Sequence, residues 1–223
     1  MEIHNNIITP NCVGARLYKI LGTEYPNPFC WCTIGYYDGY IKFEDLIRNY
    51  DNINFLKTNF TLEYNKELDK TSPVCIIDDK IDLHFIHYIQ DETKSEPTIK
   101  KTANDSDVYY YDVLNYCKEK YYNRAHRMYN INIEPLFIIT LNYIYDRITQ
   151  NDCEERIKRY LELSKDKKIM VVINDDNEVY HKYKQFVNEN FIMLGLTREE
   201  CKLHKKSDYE KIINNILILN NHE

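Results

Sequence analysis

The amino-acid sequence predicts an α/β fold: a mainly parallel sheet with helices on both faces, plus an antiparallel strand or hairpin. Continuous apolar runs at residues 135–140, 169–173 and 191–196 have the length and composition of strands that are buried on both faces. Segments with apolar residues at helical spacing separate these runs, and this alternation is typical of a parallel sheet covered by helices. Residues 74–88 predict the hairpin, because two apolar runs flank a polar turn at 78–80.

The chain opens as a strand, a tight turn and a helix. Residues 3–9 form a short apolar run that Pro10 ends, and Asn11 is a suitable helix cap. Apolar residues then recur at helical spacing until Gly22 closes the helix. This pattern predicts that Cys12 lies at or near the N-terminus of the first helix.

The rest of the chain predicts a loop, a few short elements and several helices, which together form one domain over residues 1–223. Residues 23–37, with two prolines and the only Trp, indicate an ordered loop, and the polar stretch at about 90–107 indicates a mobile insertion. We expect short strands at 53–56 and 61–64, and helices near 43–50, at 108–130, 153–164 and 178–190, and from an N-cap at Ser207 to about residue 219.

Composition and charge exclude several classes of function. The 223-residue chain has a net charge of −6, which argues against the basic face that general nucleic-acid binding needs. It has no apolar run of about 18 residues and no N-terminal signal-peptide pattern, so we expect a cytosolic protein without membrane insertion. Its seven cysteines are then expected to be reduced. Cys30 and Cys32 enclose one residue and lack further ligands at matching spacing, so we predict no metal site.

Cys12 is the first candidate for chemistry. A thiol at a helix N-terminus lies at the positive end of the helix dipole, which stabilises the nucleophilic thiolate. Turns that follow strands are also where α/β folds present reactive groups. A cysteine nucleophile further needs an imidazole within hydrogen-bond reach. The alternative is a small buried thiol that only fills space, as free cysteines commonly do.

Two histidines in the predicted hairpin are candidates for that imidazole. His84 and His87 are three residues apart, so on a regular strand their side chains point to opposite faces and do not share a metal ion. His84 is in register with Asp82, whereas His87 ends the strand, and a strand end favours His87 as the catalytic base. A purely structural role stays open for each histidine.

Charged clusters further along the chain indicate anion or metal binding. Arg124 and Arg127 are neighbours on the long predicted helix, where two guanidinium groups can grip a carboxylate, a phosphate or a sugar-nucleotide diphosphate. The alternative is a surface pair that bridges to local acids. Asp175 and Asp176 follow the apolar run at 169–173, where carboxylates can hold a divalent metal. Clusters of Asn and Asp are, however, also ordinary turn formers.

The order of these motifs resembles two uncharacterised families. Along the chain follow Asn11-Cys12 after a strand, the run from Pro28 to Trp31, a strand ending in His87, and a helix with Arg124 and Arg127 before an apolar strand. This order resembles a family of papain-like cysteine peptidases, whose pattern is Asn-Cys, Pro-Phe-Asp-Trp, a strand histidine and a Lys-x-x-Arg-Arg-type helix. The run from His84 to Tyr88 is similar to a second group, found in exopolysaccharide-biosynthesis clusters. The similarity covers roughly residues 5–175.

The resemblance implies a papain-like site with one departure. Cys12 would be the nucleophile and His87 the base. This chain has Cys30 where the family has Asp, so an acid that orients the base would have to come from another residue such as Asp38. The remaining candidates would bind the substrate, and they are Asn11, Trp31, His84, Arg124 and Arg127.

The predicted function is a thiol-dependent hydrolase or acyltransferase acting in glycan or surface-polysaccharide biosynthesis or modification. We expect no cofactor, and a glycan, a sugar-nucleotide or an acyl donor as the partner. Two alternatives stay open. One is a nucleotide-sugar-dependent glycosyltransferase that uses Asp175 and Asp176, and the other is a non-enzymatic carbohydrate-binding or scaffold protein.

Overall fold

Two four-stranded β-sheets organise the chain in the computed structural model, which describes residues 6–34, 39–65, 70–85, 106–131, 133–141, 150–203 and 205–220. The contacts divide the chain into two compact units. The first comprises described residues within 1–9, 16–24 and 133–223 and contains a parallel sheet, whereas the second, within 10–15 and 25–132, contains an antiparallel sheet. The predicted α/β class is confirmed, and the predicted single domain over residues 1–223 stays a prediction.

Eight strands and six α-helices make up the regular structure of the described residues. The strands are β1 (Asn6–Ile8), β2 (Thr33–Ile34), β3 (Thr58–Asn65), β4 (Lys70–Ile77), β5 (Ile81–His84), β6 (Pro135–Leu141), β7 (Lys168–Asn174) and β8 (Phe191–Leu196). The helices are α1 (Val13–Leu21), α2 (Gly39–Asn49), α3 (Ser106–Ile131), α4 (Gln150–Leu163), α5 (Glu178–Tyr183) and α6 (Lys206–Asn220).

The sheet of the first unit is parallel throughout, with the strand order β1-β6-β7-β8. Residues 169–173 of β7 are all buried and all apolar, because a parallel strand flanked by helices has neither face in water. Phe137 on β6 and Phe191 on β8 are likewise fully buried. The predicted strand at 191–196 has the observed bounds. The strand predicted at 135–140 is one residue longer at its end, and the strand predicted at 169–173 is one residue longer at both ends.

The sheet of the second unit is antiparallel, with the strand order β2-β5-β4-β3. The predicted hairpin is its centre: β4 and β5 are joined by a turn at 78–80, where Asp78 and Asp79 both have positive φ angles. The eight residues of β3 pair with the whole of β4, so the short strand predicted at 61–64 is longer than expected. Helix α3 packs against β3, with Tyr121 and Tyr122 around the ring of Phe60.

The predicted strand at 53–56 is wrong, because a side chain closes a turn there. The Oδ1 atom of Asn54 accepts a hydrogen bond from the amide of Leu56 at 3.0 Å, and the carbonyl of Asn54 accepts one from Lys57 at 3.0 Å. Asn side chains commonly imitate a backbone turn in this way. Ile53 and Phe55 are still buried, which explains why the run looks apolar without forming a strand.

Two predictions near the C-terminus are also corrected. The helix predicted at 178–190 ends at Tyr183 and is followed by one 3-10 turn, because the Oδ1 atom of Asn188 accepts hydrogen bonds from the amides of Asn190 and Phe191 and turns the chain into β8. Ser207 is not the N-cap of α6. That helix already begins at Lys206, and the carboxylate of Asp208 accepts a hydrogen bond from the amide of Lys205.

The opening of the chain follows the prediction closely. Strand β1 ends at Ile8, α1 begins at Val13, and α1 ends just before Gly22, which has a φ of 69°. The predicted insertion at about 90–107 lies outside the described residues, except that residues 106 and 107 already belong to α3. Among the helices that the structure describes, none is both long enough and apolar enough to cross a membrane.

Candidate functional site

Cys12 lies in the turn between β1 and α1, directly before the first helical residue. The Oδ1 atom of Asn11 accepts a hydrogen bond from the amide of Val13 at 3.0 Å, so Asn11 caps the helix as predicted. Cys12 is partly exposed, whereas the other six cysteines are buried. The turn therefore holds a partly exposed cysteine at the positive end of α1.

The six buried thiols are held in their protonated form. Burial raises the pKa of Cys30 and Cys117 to about 12 and that of Cys153 and Cys201 to about 11. It also raises the pKa of Cys32 and of Cys75 well above the ordinary value for a thiol. None of these six thiols is a nucleophile near neutral pH, because the thiolate is the reactive form.

The Cys12 turn is joined to the antiparallel sheet by a backbone hydrogen bond. Residues Pro10–Ala15 belong to the second unit, and the carbonyl of Pro10 accepts a hydrogen bond from the amide of Ile34 at 2.9 Å. On its other side β2 pairs with β5, and Thr33 lies directly opposite His84. Strand β2 thus separates the segment that carries Cys12 from the strand that carries His84.

His84 lies at the end of β5, hydrogen-bonded to a neighbouring acid. Its Nε2 atom is 2.9 Å from Oδ2 of Asp82, and Lys42 of α2 donates to Oδ1 of Asp82 at 2.6 Å. The hydrogen bond from His84, aided by Lys42, holds the pKa of Asp82 well below its usual range despite partial desolvation. Asp82 is therefore held as a carboxylate, which accepts hydrogen bonds.

Asp82 and Lys42 were not among the site residues expected from the sequence. Asp82 could have been found from the sequence. Residues two apart on a strand point to the same face, so Asp82 and His84 are expected to be neighbours. Lys42 gives no such signal, since it reaches Asp82 from another element. His87, expected to be the base, and Asp38, expected as an alternative acid, both lie outside the described residues.

The predicted arginine pair holds the loop before β2. Arg124 donates to the carbonyl of Cys30 at 2.7 Å and stacks over the ring of Tyr25 at 5.2 Å, and Arg127 donates to the carbonyl of Tyr25 at 3.1 Å. Arg124 is only 8% exposed, so it is not the surface residue that one reading of the sequence suggested. The predicted anion clamp stays a prediction, and the observed role of both side chains is to bind backbone carbonyls.

The same loop has further internal support around Cys30. The fully buried Asn27 accepts hydrogen bonds at Oδ1 from the amide of Phe29 at 3.1 Å and from the thiol of Cys30 at 3.6 Å. Cys30 is a protonated donor here, so its thiol is not an acid that could orient a base.

Trp31 is held in an unusual backbone conformation. Its φ angle is 65°, in the left-handed region that large side chains rarely occupy. The ring is partly exposed and meets the ring of Tyr25 edge-on, with 6.2 Å between the centroids. Strained positions of this kind persist where the surrounding contacts fix them, as the arginine-bound loop does here.

The aspartates after β7 form a turn and a helix cap. The Oδ1 atom of Asn174 accepts a hydrogen bond from the amide of Asp176 at 2.9 Å, and Oδ1 of Asn177 accepts one from Val179 at 2.8 Å. The amide of Asp175 donates to the carbonyl of Leu196. These are the hydrogen bonds expected if the Asn and Asp cluster forms a turn. Within the part of the chain that the structure describes, no group of three or more His, Cys, Asp or Glu side chains could hold a metal ion.

Comparison with known protein families gives a similarity to a family whose description names no activity. The model of a family described as a domain of unknown function (DUF1919) matches residues 2–110. The chain is similar to that family over this range, which includes Cys12, His84 and His87 but ends before Arg124 and Arg127. No curated protein matches the chain.

Proposed function

We propose that the protein is a thiol-dependent hydrolase or acyltransferase in which Cys12 is the nucleophile. The observation that carries this proposal is that Cys12, of all seven cysteines, is not buried, and that it lies directly before a helix whose N-terminus is capped by Asn11. The helix dipole favours the thiolate at that position, while burial keeps the other thiols protonated.

The proposed reaction is acyl transfer through a thioester. The Cys12 thiol gives its proton to an imidazole, and its sulfur forms a bond to the acyl carbon. The bond from that carbon to the leaving oxygen or nitrogen then breaks, and the leaving atom takes the electron pair and the proton from the imidazole. In the second half, water or an acceptor hydroxyl gives a proton to the imidazole and attacks the thioester. The carbon–sulfur bond breaks, and the thiol is restored.

The proposed substrate is an acyl donor or an acylated glycan of surface-polysaccharide biosynthesis or modification. Its support is the motif order of the sequence, together with the partly exposed residue Trp31 in the loop bound by Arg124 and Arg127. Aromatic rings offer a flat apolar surface with a polar edge. We place the reaction in the cytoplasm, where thiols stay reduced, in keeping with seven free cysteines.

Acylation by p-nitrophenyl acetate tests the proposal without knowledge of the natural substrate. At neutral pH we expect a burst of p-nitrophenolate and an acetyl group on Cys12, detected by mass spectrometry of the quenched protein. The burst should be lost in Cys12→Ala and kept in Cys201→Ala, the matched control that removes a buried thiol. Equal acetylation of the wild type and Cys12→Ala would overturn the proposal and favour the non-enzymatic carbohydrate-binding or scaffold protein.

A further inference from the structure

We propose that the outer edge of β3 binds the same edge of a second copy of this chain, so that two antiparallel sheets join across a two-fold axis at Phe60. The proposal goes beyond the proposed function and does not depend on it. In the part of the chain that the structure describes, β3 is the last strand of its sheet, with β4 on one side and no strand on the other. An edge of this kind is where another extended chain can add to a sheet.

Strand β3 lacks the features that usually keep an edge strand from pairing with another chain. Short length, proline, bulges and several charges are the common protections. This strand has eight residues, and each of them pairs one-to-one with a residue of β4. It contains no proline, and Glu63 is its only charged residue. The strand at the opposite edge, β2, has two residues, and the amide of Ile34 is already bonded to Pro10. The long and regular edge of β3 thus favours a partner strand.

The hydrogen bonds of the sheet determine which backbone groups of β3 face outward. Directly before β3, the carbonyl of Lys57 accepts a hydrogen bond from the amide of Asp78 at 2.8 Å. Because bonded and non-bonded pairs alternate in an antiparallel ladder, the odd-numbered residues of β3 bond to β4. Pro73 of β4 agrees: it lies opposite Leu62, and its carbonyl accepts from Phe85 at 3.0 Å, on the side away from β3. In the middle of the strand, the amides and carbonyls that face the outer edge are those of Thr58, Phe60 and Leu62.

Charge selects one register for two β3 edges that pair about a two-fold axis. With the axis at Phe60, outward-facing Thr58 lies opposite outward-facing Leu62 of the second copy, as a ladder requires. Lys57 of one copy then lies opposite Glu63 of the other, in a pair where the side chains come closest. An axis at any other residue of β3 separates these two opposite charges. An exposed pair contributes little affinity, so its effect is on the register, while the backbone ladder supplies the affinity.

The same register brings exposed apolar side chains together. Leu56, directly before the Lys57 ladder bond, is 39% exposed, and Tyr64 near the end of β3 is 58% exposed. With the axis at Phe60, Leu56 of each copy lies opposite Tyr64 of the other. Removal of this apolar surface from water favours association.

Helix α3 lies inward of the proposed interface. It packs against both β3 and β4, so the two copies of α3 would lie about two strand spacings apart, roughly 10 Å, which is the distance between packed helices. The ammonium group of Lys118 lies 5.9 Å from the centroid of the Phe60 ring. It would approach its counterpart across the axis, and like charges oppose association. We therefore expect a reversible dimer whose population depends on concentration.

Sedimentation velocity of the full chain over about a hundredfold range of concentration tests the inference. The wild type should pass from monomer to dimer as the concentration rises. Glu63→Lys should raise the dissociation constant by about tenfold or more, because it sets like charges opposite each other at both ends of the interface. Glu155→Lys on α4 makes the same change of charge at an exposed acid outside β3 and should leave the dissociation constant unchanged.

Exchange of the two charges tests the register. The double variant Lys57→Glu, Glu63→Lys forms the same pair with the signs reversed, so it should recover much of the dimer that Glu63→Lys loses. Lys57 also binds Asp78 and Asp79 in its own chain, so circular dichroism must first show that the double variant is folded. A dimer that is lost in Leu62→Pro but equally strong in the wild type and Glu63→Lys would overturn the axis at Phe60.

A proline on the edge tests the backbone ladder itself. Leu62→Pro removes one outward amide and leaves the hydrogen bonds to β4 in place, so a folded variant should stay monomeric. Leu62→Ala keeps that amide and should still form the dimer. If Leu62→Pro does not fold, the charge variants decide the outcome. A wild type that is monomeric over the whole range, or a dimer that neither Glu63→Lys nor Leu62→Pro weakens, would overturn the inference.

Discussion

The two sheets of the protein differ in what their strands carry. In the parallel sheet, β6, β8 and residues 169–173 of β7 contain no charged side chain, and nearly all of their residues are buried. In the antiparallel sheet, β5 alternates two buried aliphatic residues with Asp82 and His84. The cause is the number of sheet faces that are covered by other elements. A parallel strand between helices is apolar throughout, while an antiparallel strand can keep polar groups on one face.

This difference also shows in where the two sheets place their polar side chains. At the end of β7 and in the turn after it, the side chains of Asn174 and Asn177 accept the hydrogen bonds of the turn and the helix cap. On β5 the strand itself carries Asp82 and His84, whose side chains are hydrogen-bonded at 2.9 Å. Under the proposed function, we expect the parallel sheet to contribute to stability and the unit with the antiparallel sheet, which includes Cys12, to contribute to the chemistry.

The largest expected effect is on stability, from a change in the centre of the parallel sheet. Phe137→Ala should lower the free energy of unfolding by about 3–5 kcal/mol, because it leaves a cavity among buried side chains. Urea unfolding followed by circular dichroism measures this loss. The matched control is Tyr64→Ala on β3. It should change the free energy of unfolding by no more than about 0.5 kcal/mol, because Tyr64 is 58% exposed.

The same variant also tests the division of tasks. Per folded molecule, Phe137→Ala should acetylate Cys12 at the wild-type rate, since the change lies outside the proposed site. A slower rate in the fully folded variant would contradict the comparison, because the parallel sheet would then contribute to the chemistry.

An intermediate effect is expected from the arginines that bind the loop before β2. Arg124→Met should cost about 2–3 kcal/mol, because it leaves the Cys30 carbonyl without its charged donor in a buried place. Arg127→Met should cost less, about 1 kcal/mol, since Arg127 is more exposed and its hydrogen bond to Tyr25 is longer.

Both arginine variants also test the anion clamp predicted from the sequence. Thermal unfolding with and without pyrophosphate separates the two roles. If an arginine only supports the loop, its replacement should lower the unfolding temperature by the same amount with and without pyrophosphate. A stabilisation by pyrophosphate that is present in the wild type and absent in both folded variants would instead favour the clamp.

Local patterns predicted the parts of the molecule that depend on local contacts. The apolar run of β8 and the Pro10–Asn11 turn before α1 are determined by residues close together in the chain, and both are as predicted. The contacts that build the candidate site are not local. Lys42 reaches Asp82 and Arg124 reaches Cys30 across the second unit, and no periodicity of a single segment encodes such pairs. The side chain of Asn54 likewise decides for a turn where the apolar pattern suggested a strand.

The smallest expected effect concerns the two asparagine caps, one before each of two helices. Asn11→Ala and Asn177→Ala should each cost about 1 kcal/mol, because each Oδ1 atom accepts a hydrogen bond from the amide two residues on. Chemical unfolding of the two variants side by side measures this. A much larger cost for Asn11→Ala would mean that its side chain does more than cap α1.

The cap at α1 also separates stability from reactivity. Asn11→Asp keeps a good capping side chain, so its stability should be close to that of the wild type. It adds a negative charge next to Cys12, which disfavours the thiolate, so acetylation of Cys12 should slow. The equivalent change Asn177→Asp in the turn after β7 should alter neither property. An unchanged rate in Asn11→Asp would argue that Cys12 does not react as a thiolate. The turn before α1 would then not differ chemically from the turn after β7.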